Sequence, residues 1–256
     1  GDLDGARAGI AAAKADGHKI IEVDIVNSRL LASALETRPI VAQPDGESLT
    51  LWLPSQGPAP LASQIAEALG MKDDELKVLT GHVGGGFGYK IFLHPEQLCV
   101  AWAARKIGSV VRWQQERSEA FLSDVHGRDN RTKAWAAVDK TGKILAMEVS
   151  VHANMGAWLS NFGIYIPTLS ATRTLTGPYD MQTVGMRVRG IVTNTPAVDA
   201  FRGAGRPEAN YLLERLMDHI AAELSIDRFE LRRRNLIKPE QIPYMMVEGG
   251  AVDSGD

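Results

Sequence analysis

The segment "TGHVGGGFGYK", Thr80–Lys90, contains three consecutive glycines and another directly after Phe87. Inside regular structure each glycine costs roughly 0.5–1 kcal/mol relative to alanine, so a core strand would not hold such a run. Glycines cluster where the backbone needs positive φ or where another group approaches it closely. Consecutive free amides in such a segment can bind an anion, such as a phosphate or a metal-bound oxo group. We therefore expect a ligand at this segment, whose residues Gly84–Gly88 we call the glycine loop.

Two nucleotide-binding motifs do not fit the glycine loop. A dinucleotide fingerprint needs glycines at positions i, i+2 and i+5, and counting from Gly84 the last of these is Tyr89. A P-loop needs Gly-Lys-Ser/Thr, whereas Lys90 lies between Tyr89 and Ile91. A glycine-rich hairpin without a ligand remains the alternative, although Phe87 would gain little in a solvent turn.

A second segment, "NTPAVDAFRGAGRPEAN", Asn194–Asn210, also joins a predicted strand to a predicted helix through a glycine-bearing bend. Its arginines, Arg202 and Arg206, flank two glycines, and Pro207 opens the helix. Positive charge and a helix N-terminus both favour an anionic group nearby. A surface turn with solvated arginines is an equally good explanation of this segment taken alone.

Composition limits the classes to which the chain can belong. Its 256 residues, 45% of them hydrophobic, suffice for one large domain or two small intertwined ones. A net charge of -3 implies no nucleic-acid partner. The single cysteine, Cys99, allows neither a disulfide framework nor an iron–sulfur site within this chain, and its apolar neighbours predict a core position. We expect no membrane span and no signal peptide, and cytoplasmic is the default location.

Hydrophobic periodicity predicts a mixed α+β fold and not a doubly wound parallel sheet. We predict strands over residues 19–26, 39–45, 48–56, 75–83, 109–116 and 185–195 and a hairpin over 132–158. We predict helices over residues 58–70, 95–108, 207–224 and 227–237, the first ended by Gly70. The strand-rich segments form two sub-blocks, about 19–116 and 128–237.

Five motifs together resemble one protein family: "LETRP", "LPSQ", "VGGGFGYK", "AFRGAGRPEA" and "ERLMDHIAAELSIDRFELRRRNLI". In order and spacing they are similar to the molybdenum-binding large subunit of the molybdenum hydroxylases, the family of xanthine dehydrogenase, aldehyde oxidase and aerobic carbon monoxide dehydrogenase. The likeness runs from about Leu30 to Asp256 and is greatest to carbon monoxide dehydrogenase-like large chains of the "FRGAGR" type. It implies that residues 1–256 are the first molybdopterin-binding domain, a fragment of a longer subunit.

The resemblance also implies roles for single residues. Gln56 matches the side-chain amide that hydrogen-bonds an oxo ligand of molybdenum. The cofactor-binding positions fall in the two glycine-bearing segments and are Gly85, Gly86, Phe87, Gly88, Ala200, Phe201, Arg202 and Gly203. Gln56, Phe87 and Arg202 would lie nearest the metal. No catalytic residue is expected within this chain, because the family's base glutamate belongs to a segment after Asp256.

The function that the resemblance implies is the hydroxylation or oxidation of a carbon centre with water as the oxygen source. The substrate would be an aldehyde, an N-heterocycle or a molecule like carbon monoxide. The cofactor would be a molybdopterin-type molybdenum cofactor, in the cytosine dinucleotide form. Iron–sulfur clusters and FAD would lie on partner subunits, and the large subunit would form a homodimer. The 256-residue chain alone is expected to be inactive.

Three positions depart from the better-known members. The purine-oxidising members have a glutamate where this chain has Ile91 and an aromatic residue where it has Ala204. The copper-containing carbon monoxide dehydrogenases have a cysteine where this chain has Gly203. These departures argue against purine hydroxylation and against a molybdenum–copper centre.

Two rival functions remain open. A hydrolase is suggested by Ser55 in "LPSQG" and by Ser123, Asp124 and His126, yet the pattern around Ser55 lacks the first glycine of a nucleophile elbow. Three residues so close along one segment also rarely form a triad. The other rival is a non-catalytic assembly or binding domain without cofactor, which metal analysis of the full-length protein would distinguish.

Overall fold

The structure is a computed structural model that describes residues 1–255. In chain order its helices and strands are α1 (Leu3–Ala15), β1 (Lys19–Asn27), β2 (Leu30–Leu31), β3 (Ile40–Asp45), β4 (Ser48–Trp52), α2 (Pro58–Leu69), β5 (Leu76–Leu79), α3 (Pro95–Ile107), β6 (Val111–Trp113), α4 (Arg117–Ser123), β7 (His126–Gly127), β8 (Asn130–Val138), β9 (Ile144–Gly156), β10 (Val184–Val192), α5 (Arg206–Leu224), α6 (Arg228–Asn235), β11 (Tyr244–Met245) and β12 (Ala251–Val252). Within these residues no helix is long and apolar enough to span a membrane.

The chain folds into two compact units that are interleaved along the sequence. The long-helix unit consists of Gly1–Arg29, Arg128–Val198 and the described residues from Gly203 onward. The glycine-loop unit consists of Leu30–Gly127 and Asp199–Arg202. The predicted α+β class is confirmed, because each unit packs helices on a sheet that mixes parallel and antiparallel pairs.

The long-helix unit is built on a four-stranded sheet of order β1-β8-β9-β10, in which only the β9–β10 pair is parallel. Sequence order suggests that β1 belongs with the first strands of the chain, yet it pairs along its whole length with β8. The buried stripe of α5 packs against this sheet and consists of Leu212, Leu213, Leu216, Met217 and Ile220, as its helical spacing predicts.

The glycine-loop unit is built on a second four-stranded sheet, of order β5-β4-β3-β6, with α2 and α3 packed on it. Gly70 ends α2 in the left-handed conformation, φ 63°, as predicted. The prediction for Cys99 is wrong, because this residue is exposed. In α3 the buried face carries Val100, Ala101 and Ala104, and Cys99 lies outside it.

A buried carboxyl group in the long-helix unit has a pKa above its ordinary value. Glu208 lies in the first turn of α5, and its two carboxyl oxygens have no hydrogen-bond partner among residues 1–255. The nearest cation is the guanidinium of Arg128, with Nη1 3.6 Å from Oε1. Burial raises the pKa of Glu208 above the ordinary value, and the attraction of Arg128 opposes the rise only in part.

We expect Glu208→Gln to flatten the pH dependence of the free energy of unfolding. A carboxyl whose pKa is raised in the folded state binds its proton more tightly there. Its stabilising effect is therefore complete below the unfolded pKa and is lost as pH rises through the folded pKa. Urea unfolding from pH 4 upward measures this slope, with Glu223→Gln on the exposed end of α5 as the matched control. Equal slopes in the wild type and Glu208→Gln would contradict the prediction.

Candidate functional site

The arginine of "LETRP" anchors the segment that precedes β3. Arg38 is buried, its Nε donates to Asp124 Oδ1 (2.8 Å) and its Nη1 donates to Glu96 Oε2 (3.0 Å). Gln115 adds a third link, since its Nε2 donates to the same Asp124 oxygen (2.9 Å). A buried arginine with paired charges and satisfied donors fixes the surrounding backbone. The Asp124 carboxylate thus holds Arg38 and Gln115 in place, which is a structural role and not that of a triad acid.

The glycine loop has positive backbone φ angles, which residues other than glycine rarely adopt. Gly85 and Gly88 have φ of 105° and 108°, and Phe87, with φ of 53°, is left-handed although it has a side chain. Such a conformation at a non-glycine residue costs of order 1–3 kcal/mol and is concentrated at functional sites. Within residues 1–255 the backbone N–H groups of Gly85, Gly86 and Phe87 donate to no protein acceptor. Three consecutive amide donors are therefore available to a ligand.

Gln56 lies against this loop with its amide orientation fixed. The Gly88 N–H donates to Gln56 Oε1 (2.9 Å), and the Gln56 N–H donates to the Lys90 carbonyl (2.9 Å). Because Oε1 is thereby the acceptor, Nε2 carries both amide protons, and it has no partner within residues 1–255. A Cβ on Gly86 would come within 2.4 Å of Gln56 Oε1, so only glycine lets the amide lie this close.

Part of the second glycine-bearing segment, Ala200–Arg202, lies beside the glycine loop in the same unit. The Arg202 N–H donates to the Phe87 carbonyl (2.9 Å). A Cβ on Gly88 would lie 2.5 Å from the Ala200 carbonyl oxygen, so the two backbones are in close contact. Phe201 packs in turn against Gly127. A Cβ added to Gly127 would lie 2.3 Å from the Phe201 Cβ. The predicted residues Gln56, Gly85, Gly86, Phe87, Gly88, Ala200, Phe201 and Arg202 thus all belong to the glycine-loop unit, whereas Gly203 belongs to the long-helix unit.

Buried polar residues support the loop from beneath. Burial raises the pKa of Tyr89 to about 12 and lowers the pKa of His94 to about 4. The neutral His94 donates from Nε2 to the Tyr89 carbonyl (2.7 Å), which is only an acceptor. Burial also lowers the pKa of Lys90. Tyr89 and His94 therefore keep one protonation state near neutral pH and serve to hold the loop.

Two further residues, neither of them among the predicted cofactor-binding residues, complete this arrangement. Glu36, from "LETRP", contacts the loop at Gly84 and also contacts Lys90, two residues after the loop. Ser55, considered above as a nucleophile, is buried, and its Oγ accepts from the Gly57 N–H (3.0 Å), which fits a turn residue better than a nucleophile. The site is thus made chiefly of amide donors, a set suited to phosphate or metal-oxo groups. In the part of the chain that the structure describes, no three His, Cys, Asp or Glu side chains are grouped to hold a metal ion.

Comparisons of the sequence and of the structure with known proteins point to the same group of proteins. Residues 4–236 match a family described as molybdopterin cofactor-binding domain. The chain is 30% identical over 250 residues to the 6-hydroxypseudooxynicotine dehydrogenase complex subunit gamma of Paenarthrobacter nicotinovorans, covering 94% of this chain and 31% of that protein. It is 34% identical over 233 residues to the carbon monoxide dehydrogenase large chain of Afipia carboxidovorans, covering 89% of this chain and 29% of that one.

A solved structure shares the fold. Quinoline 2-oxidoreductase from Pseudomonas putida 86 superposes with a TM-score of 0.92 at 30% identity, over 96% of this chain and 32% of that chain. The chain therefore spans about a third of the length of the proteins that it matches.

Proposed function

Because the chain belongs to the molybdopterin cofactor-binding domain family, we propose that it holds the cofactor of a molybdenum-dependent oxidoreductase beside the glycine loop. The full-length enzyme hydroxylates or oxidises a carbon centre, with water as the oxygen source. The observation that carries the proposal is the set of three consecutive unpaired amides, at Gly85, Gly86 and Phe87, next to the free Nε2 of Gln56.

The residues present fit such a group. A side chain at Gly86 would occupy the space of the Gln56 amide, so the loop is open only because glycine stands there. Amide donors match the phosphate and oxo groups of a molybdopterin cofactor, and no protein thiolate is needed, because the pterin carries its own sulfur ligands. We assign cofactor contacts to Gly85, Gly86, Phe87 and Gly88 in the first loop and to Ala200, Phe201 and Arg202 in the second. For Gly203 the resemblance alone supports a contact.

When bound, the cofactor supplies the two-electron redox chemistry and the activated oxygen. The chain's own part is to bind and to orient. Gln56 Nε2, whose direction is set by the bond that Oε1 accepts from Gly88, would donate a hydrogen bond to the bound group. Preorganised donors of this kind stabilise charge that develops during reaction. The Phe87 carbonyl accepts from the Arg202 N–H (2.9 Å), and this hydrogen bond holds Arg202 beside the glycine loop. The base glutamate of the reaction belongs to another part of the full-length enzyme.

Further features of the whole enzyme are part of the same proposal. The cofactor takes the cytosine dinucleotide form, and electrons leave through an iron–sulfur subunit and an FAD subunit. The large subunit forms a homodimer in the cytoplasm. Two relatives are named as a subunit of a complex and as a large chain, which supports a multi-subunit assembly.

The test is metal analysis of the full-length protein, purified with its co-purifying chains from cells supplied with molybdate. We expect about one molybdenum per chain, together with bound pterin. Protein from cells grown without molybdate is the control. Absence of molybdenum and of pterin from the supplied cells would contradict the proposal and favour a non-catalytic assembly domain.

We expect the purified complex to show no appreciable xanthine oxidation and no stoichiometric copper. Ile91 offers no carboxylate to a purine, Ala204 offers no ring to stack on it, and Gly203 offers no thiolate to copper. Turnover with xanthine, aldehydes, N-heterocycles and carbon monoxide, alongside copper analysis, measures this. Xanthine turnover or copper equal to the molybdenum content would show that these three positions do not set the specificity.

A further inference from the structure

We propose that Glu36 is a positioning residue, which clamps both ends of the glycine loop and so orients the Gln56 amide toward the cofactor of the proposed function, on which this role rests. Glu36 precedes the buried Arg38 by two residues and is separated from the loop by 48 positions along the chain. Glu36 hydrogen-bonds the loop both through its own backbone N–H and through its side-chain carboxylate.

The first end of the loop is held at Gly84. The Glu36 N–H donates to the Gly84 carbonyl (3.1 Å), and the Gly84 N–H donates to Glu36 Oε2 (2.8 Å). A Cβ on Gly84 would lie 2.5 Å from the Glu36 Cβ, so the two segments touch at backbone distance. The chain therefore enters the glycine loop in a position that Glu36 defines.

After the loop, the chain is held at Lys90, two residues beyond Gly88. Its Nζ donates to the same carboxylate oxygen, Glu36 Oε2 (3.0 Å), and also to the Glu36 carbonyl (2.9 Å). The Lys90 side chain is fully buried, whereas 31% of the Glu36 side chain is exposed. A buried ammonium group needs a paired carboxylate to stay in place. One oxygen atom of Glu36 thus ties together the two residues that flank the open amides.

Lys90 passes this constraint on to Gln56. The Lys90 carbonyl accepts from the Gln56 N–H (2.9 Å), and the Gln56 side chain in turn accepts from Gly88 (2.9 Å). Removing the Glu36 carboxylate leaves the Lys90 cation buried without its counter-charge, so Lys90 must move or lose its proton. We expect the response of Lys90 to disturb its carbonyl, which holds the Gln56 backbone. Glu36 therefore acts on the site through Lys90 and Gln56.

The direct test is NMR spectroscopy of the ¹⁵N-labelled 256-residue chain, which needs no cofactor. The variants are Glu36→Ala and Glu36→Gln, with Glu47→Gln as the matched control at an exposed turn of the same unit. We expect Glu36→Ala to shift or broaden the backbone amides of Gly85–Phe87 and the side-chain amide pair of Gln56. Glu36→Gln keeps an acceptor for Gly84 but not the charge, so it should have a smaller effect. Unchanged loop and Gln56 resonances in both Glu36 variants would overturn the proposal.

The full-length enzyme supplies the second test. Per bound molybdenum, we expect Glu36→Ala to lower kcat at least about tenfold, with KM within about threefold of wild type and partial rescue in Glu36→Gln. If Glu36→Ala does not fold, Glu36→Gln alone is compared with Glu47→Gln. Wild-type kcat and molybdenum content in the Glu36 variants would overturn the positioning role. A wild-type enzyme without molybdenum would instead refute the proposed function, and the NMR result would still decide whether Glu36 holds the loop.

Discussion

The variant Gly88→Ala is expected to lose the cofactor. A Cβ at this position would lie 2.5 Å from the Ala200 carbonyl oxygen, and Gly88 has a φ of 108°, where residues with a side chain are strained. The loop would have to move away from Ala200–Arg202, which would break the hydrogen bond from Arg202 to Phe87 and displace the acceptor side chain of Gln56. Each loss of about 1.4 kcal/mol of binding free energy lowers the affinity tenfold. We therefore expect the molybdenum content of the full-length Gly88→Ala enzyme to be far below that of the wild type.

The control for this variant is Gly46→Ala. Gly46 also has positive φ, 56°, but a Cβ there would have no atom within 4 Å. It therefore carries the backbone strain of a left-handed alanine without the collision, at a cost of roughly 1–2 kcal/mol. Molybdenum content, measured by mass spectrometry of the metal, should be normal in Gly46→Ala. A Gly88→Ala enzyme with wild-type molybdenum and turnover would contradict the close approach of the two loops.

The variant Gln56→Ala is expected to lower turnover at least about tenfold while the protein stays folded and retains molybdenum, because one preorganised donor to the reacting centre is lost. Turnover per molybdenum and circular dichroism measure the two parts of this prediction. Gln43→Ala is the matched control, since Gln43 is exposed on β3 in the same unit. Unchanged turnover in Gln56→Ala with molybdenum retained would remove the role assigned to the Nε2 group.

The fold class and the family were predictable because their signals are local in the sequence. Gly70 and Pro58 mark the two ends of α2, and the alternating pattern of β8 and β9 marks their hairpin. The glycine loop could be recognised because consecutive glycines destabilise regular structure and are found where another group approaches the backbone closely. The resemblance to the molybdenum hydroxylases is confirmed by the family match over residues 4–236. The roles of the individual site residues stay predictions until the cofactor is located.

Other features depend on contacts between distant segments, which no local pattern reveals. The partner of Glu36 at Gly84 is 48 residues away, so the clamp on the glycine loop was not predicted. The pairing of β1 with β8 joins two segments more than a hundred residues apart. Helix α1 was missed for a different reason. Asp2 caps it by accepting from the Gly5 N–H, a capping signal that the sequence contains and that the predicted helices did not include.

The central claim is that the cofactor's molybdenum is held at the glycine loop, and anomalous diffraction locates that metal directly. Crystals of the full-length enzyme would be measured on both sides of the molybdenum absorption edge. We predict one anomalous peak per chain, next to the Gln56 side-chain amide and the backbone amides of Gly85–Phe87. A molybdenum peak remote from these residues, or none in protein that oxidises its substrate, would contradict the account.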